Sequence, residues 1–257
     1  MTSRPTDVVT SWIEVPAGEF WMGRTRLYLM DEIGWQLRER ADDRPVHRVT
    51  LPAFAIGAHE VTNAEYAQFI AAAPPGTAAA PFHWGGSHPP AGKARHPVYN
   101  VSWFDAVKYC ASVGGRLPTE AEWERAARGG VADLDYPWGN DFVAATTTAG
   151  SGRRAHSGSS TGPVAVGSFA PNGLGLYDVS GNLWEWTADW YDLHYYSRSP
   201  VESPTGPETG RYRVIRGGSW ADTETRLLTV YYRNFTAPDT AQPTIGFRCV
   251  RAAGAAR

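Results

Sequence analysis

Residues 172–190 read NGLGLYDVSGNLWEWTADW, the densest run of glycine turns, aromatic rings and acidic side chains in the chain. Two carboxylates, Asp178 and Glu185, flank Gly181 within it. Ca²⁺ takes about six to eight oxygens and mixes carboxylates with backbone carbonyls. A turn carrying Asp178 and Glu185 supplies both kinds. The competing reading has Glu185 hydrogen-bonding a buried turn. The ligand chemistry suits a hard cation, and on the residues alone both readings stand.

Around this stretch the composition sets bounds. In 257 residues, 42% are hydrophobic and 19% charged, a globular balance that excludes a disordered chain. A formal net charge of -2 provides no basis for binding nucleic acid or an anionic membrane. No apolar run is long enough to span a bilayer, so no membrane partner is expected. The N-terminal MTSRPTDVVTSWIEV lacks an apolar core behind a basic segment. The cysteines, Cys110 in YCASV and Cys249 in FRCVR, sit in apolar settings and read as buried, inert thiols rather than a disulfide framework. A cytoplasmic location follows from these readings. Eleven Trp and twelve Tyr beside twenty-seven Gly point to a core of aromatic rings filling irregular segments.

Along the chain, WIEVPAGEFWMG (12–23) reads as strand, turn and strand, with the Pro16–Gly18 turn suggesting a hairpin. Within residues 24–44, Leu27, Met30, Ile33 and Leu37 recur at helical spacing. Thr62 with Glu65 and Thr119 with Glu122 form capping boxes, and Ser102 caps a third helix. The first helix must stop before Pro74–Pro75, and the second ends at Gly114–Gly115. Residues 129–165 read as a long surface excursion. The end of the chain alternates strands and turns. No linker or charge run divides it, so one domain over 1–257 is expected.

Five segments, in order, resemble the formylglycine-generating-enzyme-like (sulfatase-modifying factor) family. They are PAGEFWMG (16–23), EVTNAEYAQFI (60–70), HPVYNVSWFDAVKYC with GRLPTEAEWERAARGG (96–130), NGLGLYDVSGNLWEWTADW (172–190), and RVIRGGSW with IGFRCVR (213–251). The resemblance implies an α+β fold related to C-type lectins, with little regular secondary structure. Its known members include copper-dependent formylglycine-generating enzymes, the C-terminal domains of sulfoxide synthases and a pyoverdine-maturation oxidase. It also implies the ligand set of the calcium: the Asp178 side chain, the backbone carbonyls of Gly181 and Leu183, and the Glu185 carboxylate. A second calcium of the family would fall in AGSGRRAHSGSSTG, which holds no Asp or Glu and carries Arg153 and Arg154, so its loss is expected.

The founding enzymes oxidise a substrate cysteine with two cysteines that follow the GGS motif, soft thiolates suited to Cu(I). Counted from Gly217–Gly218–Ser219, those positions hold Asp222 and Leu227, and residues 219–248 contain no cysteine. Trp184 and Ser219 match wall positions of the founding enzymes' active site. With Asp222 and Arg226 they form the candidate catalytic set, each with a structural alternative: core packing for Trp184, turn capping for Ser219. Arg233 is expected to pair with a carboxylate inside the domain. His83, His88 and His96 are the candidate ligands for iron or copper, although solvated loop histidines are the commoner case. Two functions follow. The preferred one is an oxidoreductase-like enzyme that modifies a peptide or small natural product without the cysteine–copper centre, with Asp222 as base or oxygen ligand. The alternative is a non-catalytic, lectin-like binding or accessory module.

Overall fold

The computed structural model describes residues 11–25, 42–142, 157–159 and 161–255. The helical pattern at 27–37 and most of the acid-free segment at 149–162 lie outside them. The first two strands, β1 (Trp12–Val15) and β2 (Gly18–Met22), do not form a hairpin. β1 pairs antiparallel with β4 (Phe54–Gly57), and β2 pairs antiparallel with β3 (His47–Leu51). The register runs straight through both pairs, from Trp12↔Gly57 and Val15↔Phe54 to Gly18↔Leu51 and Met22↔His47. Residues 12–22 therefore lie along residues 47–57 as one long ribbon. Pro16 and Pro52 interrupt it, because neither has an N–H for the ladder. The sequence signal at Pro16–Gly18 is a break in a ribbon and not the tip of a hairpin.

Three helices follow: α1 (Asn63–Ala72), α2 (Trp103–Ser112) and α3 (Glu120–Ala127). Each opens with a reciprocal capping box, Thr62–Glu65, Ser102–Asp105 and Thr119–Glu122. Each box satisfies donors that the first turn leaves open and contributes about 1 kcal/mol. α1 stops at Ala72, and Ala73 is extended ahead of Pro74, as the clash with the proline ring requires. The remaining strands are β5 (Trp184–Trp190), β6 (Arg213–Arg216), β7 (Asn234–Thr236), β8 (Ile245–Gly246) and β9 (Val250–Ala252). They form a four-stranded sheet ordered β7-β6-β5-β8, while β9 joins the β1–β4 pair. Regular elements are short and separated by long turns, the α+β architecture expected.

Two aromatic clusters fill the interior. One gathers Trp123, Tyr195, Tyr196 and Tyr231 between α3 and the ribbon. The other gathers Tyr66, Tyr109, Trp184, Trp186 and Phe247 between α1, α2 and the four-stranded sheet. An ion network is buried beside the first. Arg216 bonds Glu120 at 2.6 Å and Glu124 at 2.8 Å, and Arg233 bonds Glu120 at 2.7 and 2.9 Å. The internal partner expected for Arg233 is thus Glu120.

Cys110 and Cys249 are not inert thiols. They form a disulfide with Cα atoms 5.6 Å apart across 139 residues of sequence. The last turn of α2 lies against the closing segment, where Arg116 and Val250 exchange backbone hydrogen bonds. That contact brings the two sulfurs together, and spacing along the chain could not show it. The disulfide also removes a ground for a cytoplasmic location, because such bonds persist in oxidising compartments. Among the described residues no helix is long and apolar enough to cross a membrane.

Candidate functional site

The Asp178–Glu185 segment turns sharply before entering β5. Asp178, Gly181 and Asn182 have φ of 57°, 83° and 64°, left-handed values that Asp, Asn and Gly tolerate best. The Asp178 Oδ2 accepts from the Gly167 N–H at 2.6 Å, while its Oδ1 is buried and has no partner. Glu185 is heavily engaged. Its Oε2 accepts from Arg248 Nε at 2.7 Å and Trp123 Nε1 at 2.9 Å, and its Oε1 accepts from Arg248 Nη2 at 2.6 Å. A carboxylate oxygen has two lone pairs, so Glu185 keeps free capacity on Oε1 alone.

A third carboxylate completes this cluster. Glu60 is fully buried and accepts from Asn182 Nδ2 at 2.8 Å and from the Leu183 N–H at 3.1 Å. Burial raises its pKa well above the usual carboxylate range, and the charges of Asp178 and Glu185 push the same way. Burial raises Asp178 too. Three buried carboxylates therefore face one guanidinium, that of Arg248. An excess of negative charge, an orphaned Asp178 oxygen and carbonyls on a left-handed turn fit a hard cation. Among the described residues no three His, Cys, Asp or Glu side chains converge as a ligand group. A cation here would thus draw mainly on backbone oxygens, with Asp178 as its chief carboxylate. Sequence reading missed Glu60, because its partners lie more than a hundred residues away.

Ser219 and Asp222 come together. Asp222 Oδ2 accepts from both the Ser219 N–H and the Ser219 hydroxyl at 2.7 Å, and the Ala221 N–H reaches Ser219 Oγ at 3.3 Å. Ser219 is buried. The pair closes the turn after β6 upon itself. Trp184 is buried in the second aromatic cluster, 6.1 Å from Tyr232 between ring centroids, and Leu227 packs against that cluster. Arg226 lies on the surface, paired with Glu224 at 2.6 Å and 5.7 Å over the Tyr232 ring. Tyr232 links Trp184 and Arg226, while Ser219 and Asp222 bond each other within their own turn. Neither sizeable cavity described here, about 500 Å³ between α1 and α2 and about 280 Å³ beside β2, is lined by any of them.

The histidines have separate partners. His83 stacks on Tyr99 at 3.6 Å and faces Asn63 Oδ1, and burial lowers its pKa to about 4. His88 bonds Ser87, and His96 bonds Lys93.

Residues 1–253 match the family model of the sulfatase-modifying factor enzyme 1-like domain. The chain belongs to that family. It is 37% identical to the formylglycine-generating enzyme of Streptomyces coelicolor, over 92% of this chain and 88% of that protein. It is 34% identical to the mouse protein named inactive C-alpha-formylglycine-generating enzyme 2, over 94% and 86%. Among solved structures it superposes on PvdO from Pseudomonas aeruginosa with a TM-score of 0.74, 27% identity and 94% of each chain covered. The fold of this sulfatase-modifying-factor-like chain is accordingly the formylglycine-generating-enzyme, C-type-lectin-like one.

Proposed function

We propose that this protein is a copper-free member of its family, a binding or accessory domain for a peptide or small molecule, steadied by calcium. The carrying observation is the fate of the sulfur. Both cysteines of the chain are bonded to each other, far in sequence from the GGS turn. At the positions of the copper thiolates, Asp222 is committed to Ser219 and Leu227 packs into an aromatic cluster. A carboxylate and an alkyl group give Cu(I) no soft ligand. The mouse relative named inactive shows that the family has members so described. The calcium would be held by Asp178 Oδ1 and the carbonyls of Gly181 and Leu183, with the remaining capacity of Glu185 Oε1 beside them. Titrating Cu(I) against a competing chelator tests the reading. Weak, non-stoichiometric binding is expected. One tightly held copper per chain would refute it.

A second reading is a copper-free enzyme that modifies a peptide or small natural product. The 37% identity to a protein named formylglycine-generating enzyme favours it. Metal analysis of protein purified without chelator separates the two. Stoichiometric iron selects the enzyme, whereas a structural calcium is common to both readings.

A further inference from the structure

Beside β2 lies a cavity of about 280 Å³ whose lining combines exposed apolar surface with an uncompensated cation. Trp21 is 54% exposed and Val131 is 53% exposed, and both face it. Two large apolar side chains left open at one cavity offer a ligand apolar contact. Trp21 stands directly opposite Arg48 in the β2–β3 register, so ring and guanidinium are neighbours on one face. Arg48 is only loosely paired with Glu19, at 3.7 Å and with both side chains more than half exposed.

Arg125 is the decisive residue. It reaches the cavity from α3 and donates only to the carbonyls of Gly18 and Pro16. Among the described residues it has no carboxylate partner, and burial alone lowers its pKa. A half-buried guanidinium without a counter-charge is stabilised by an anion, and its planar fork matches a carboxylate. Glu19 and Asp133, both also on the cavity wall, disfavour ligands of higher negative charge.

We propose that this cavity binds a small monocarboxylate with an apolar body. The carboxylate pairs with Arg125 and Arg48, and the apolar part lies on Trp21 and Val131. The volume suits a ligand of one ring. The proposal deepens the binding-domain reading above and rests on it, but none of its residues belongs to the Ser219–Asp222 turn or the Asp178 cluster, so its failure would leave the copper-free reading standing.

Isothermal titration of the full chain with phenylacetate, phenylacetamide and acetate tests it. Phenylacetate should bind one per chain, about tenfold or more tighter than either comparison compound. Trp21→Ala removes an exposed side chain, so the fold should survive, and phenylacetate affinity should fall by about tenfold. Arg125→Gln should abolish the preference for phenylacetate over its amide, with circular dichroism checking that the variant folds. If Arg125→Gln does not fold, the Trp21 variant and the amide still decide. Equal affinity for acid and amide, no binding of phenylacetate, or an unchanged Trp21→Ala would overturn the proposal.

Discussion

Arg248 and Glu185 are each fully buried and bonded to each other through two nitrogens and two oxygens. Removing one partner strands the other as an unpaired charge. Arg248→Met should therefore cost about 3–5 kcal/mol, read as a shifted denaturation midpoint. Asp222→Ala is milder. It removes two hydrogen bonds on Ser219 at a partly buried site and should cost about 1–2 kcal/mol. Asp189 ties stability to pH. Burial lifts its carboxyl from 3.8 to about 8, the Glu120 charge adds to the rise, and the Glu120 N–H bonded to it opposes. The folded state then holds a proton that the unfolded chain has lost. That stabilisation is complete below about pH 4 and gone once pH passes about 8, with a slope of about 1.4 kcal/mol per pH unit between. Asp189→Asn keeps an oxygen for the Glu120 N–H and cannot ionise. Unfolding free energies at pH 5 and 7.5 should fall with pH more steeply in the wild type than in the variant. Parallel slopes would contradict this assignment. Glu120 and Glu124, whose pKa values their arginine partners lower despite burial, work in the opposite direction in both proteins.

The elements divide by how local their signals are. The three helix starts were legible because a capping box is complete within four residues, as at Thr62–Glu65 and Thr119–Glu122. The stop at Pro74 is equally local. The Pro16 break was misread as a hairpin because the partner of each strand lies beyond residue 46. The disulfide was missed for the same reason on a larger scale, because only the seating of α2 on the closing segment joins its halves. That bond gives the element its own test. In the chain-entropy description a 139-residue separation allows up to about 5 kcal/mol of stabilisation. The Cys110→Ala, Cys249→Ala double variant should unfold at clearly lower denaturant, and treatment of the wild type with a thiol reductant under mild denaturation should do the same. An unchanged midpoint would place the linkage outside the stable fold.

Across the molecule, the family was legible from five ordered segments, and the site only in outline. Asp178 and Glu185 do lie in one buried cluster, but Glu60 and Arg248, which set its charge balance, come from distant segments. Ser219 pairs with Asp222, and Trp184 and Arg226 meet at Tyr232, yet these contacts are those of a closed turn, a core ring and a surface ion pair. A calcium at Asp178 predicts that added Ca²⁺ raises the thermal midpoint, by about 2.7 kcal/mol of stability at a hundredfold excess over its dissociation constant. Asp178→Ala should remove most of that rise. A rise that is undiminished in the variant would move the ion elsewhere. The proposal that the protein works without copper is tested most directly by its action on a thiol. Incubated with Cu(I), oxygen and a cysteine-containing peptide, this protein should leave the cysteine intact by mass spectrometry. Accumulation of the aldehyde product, trapped with a hydrazine and dependent on this chain, would contradict the account.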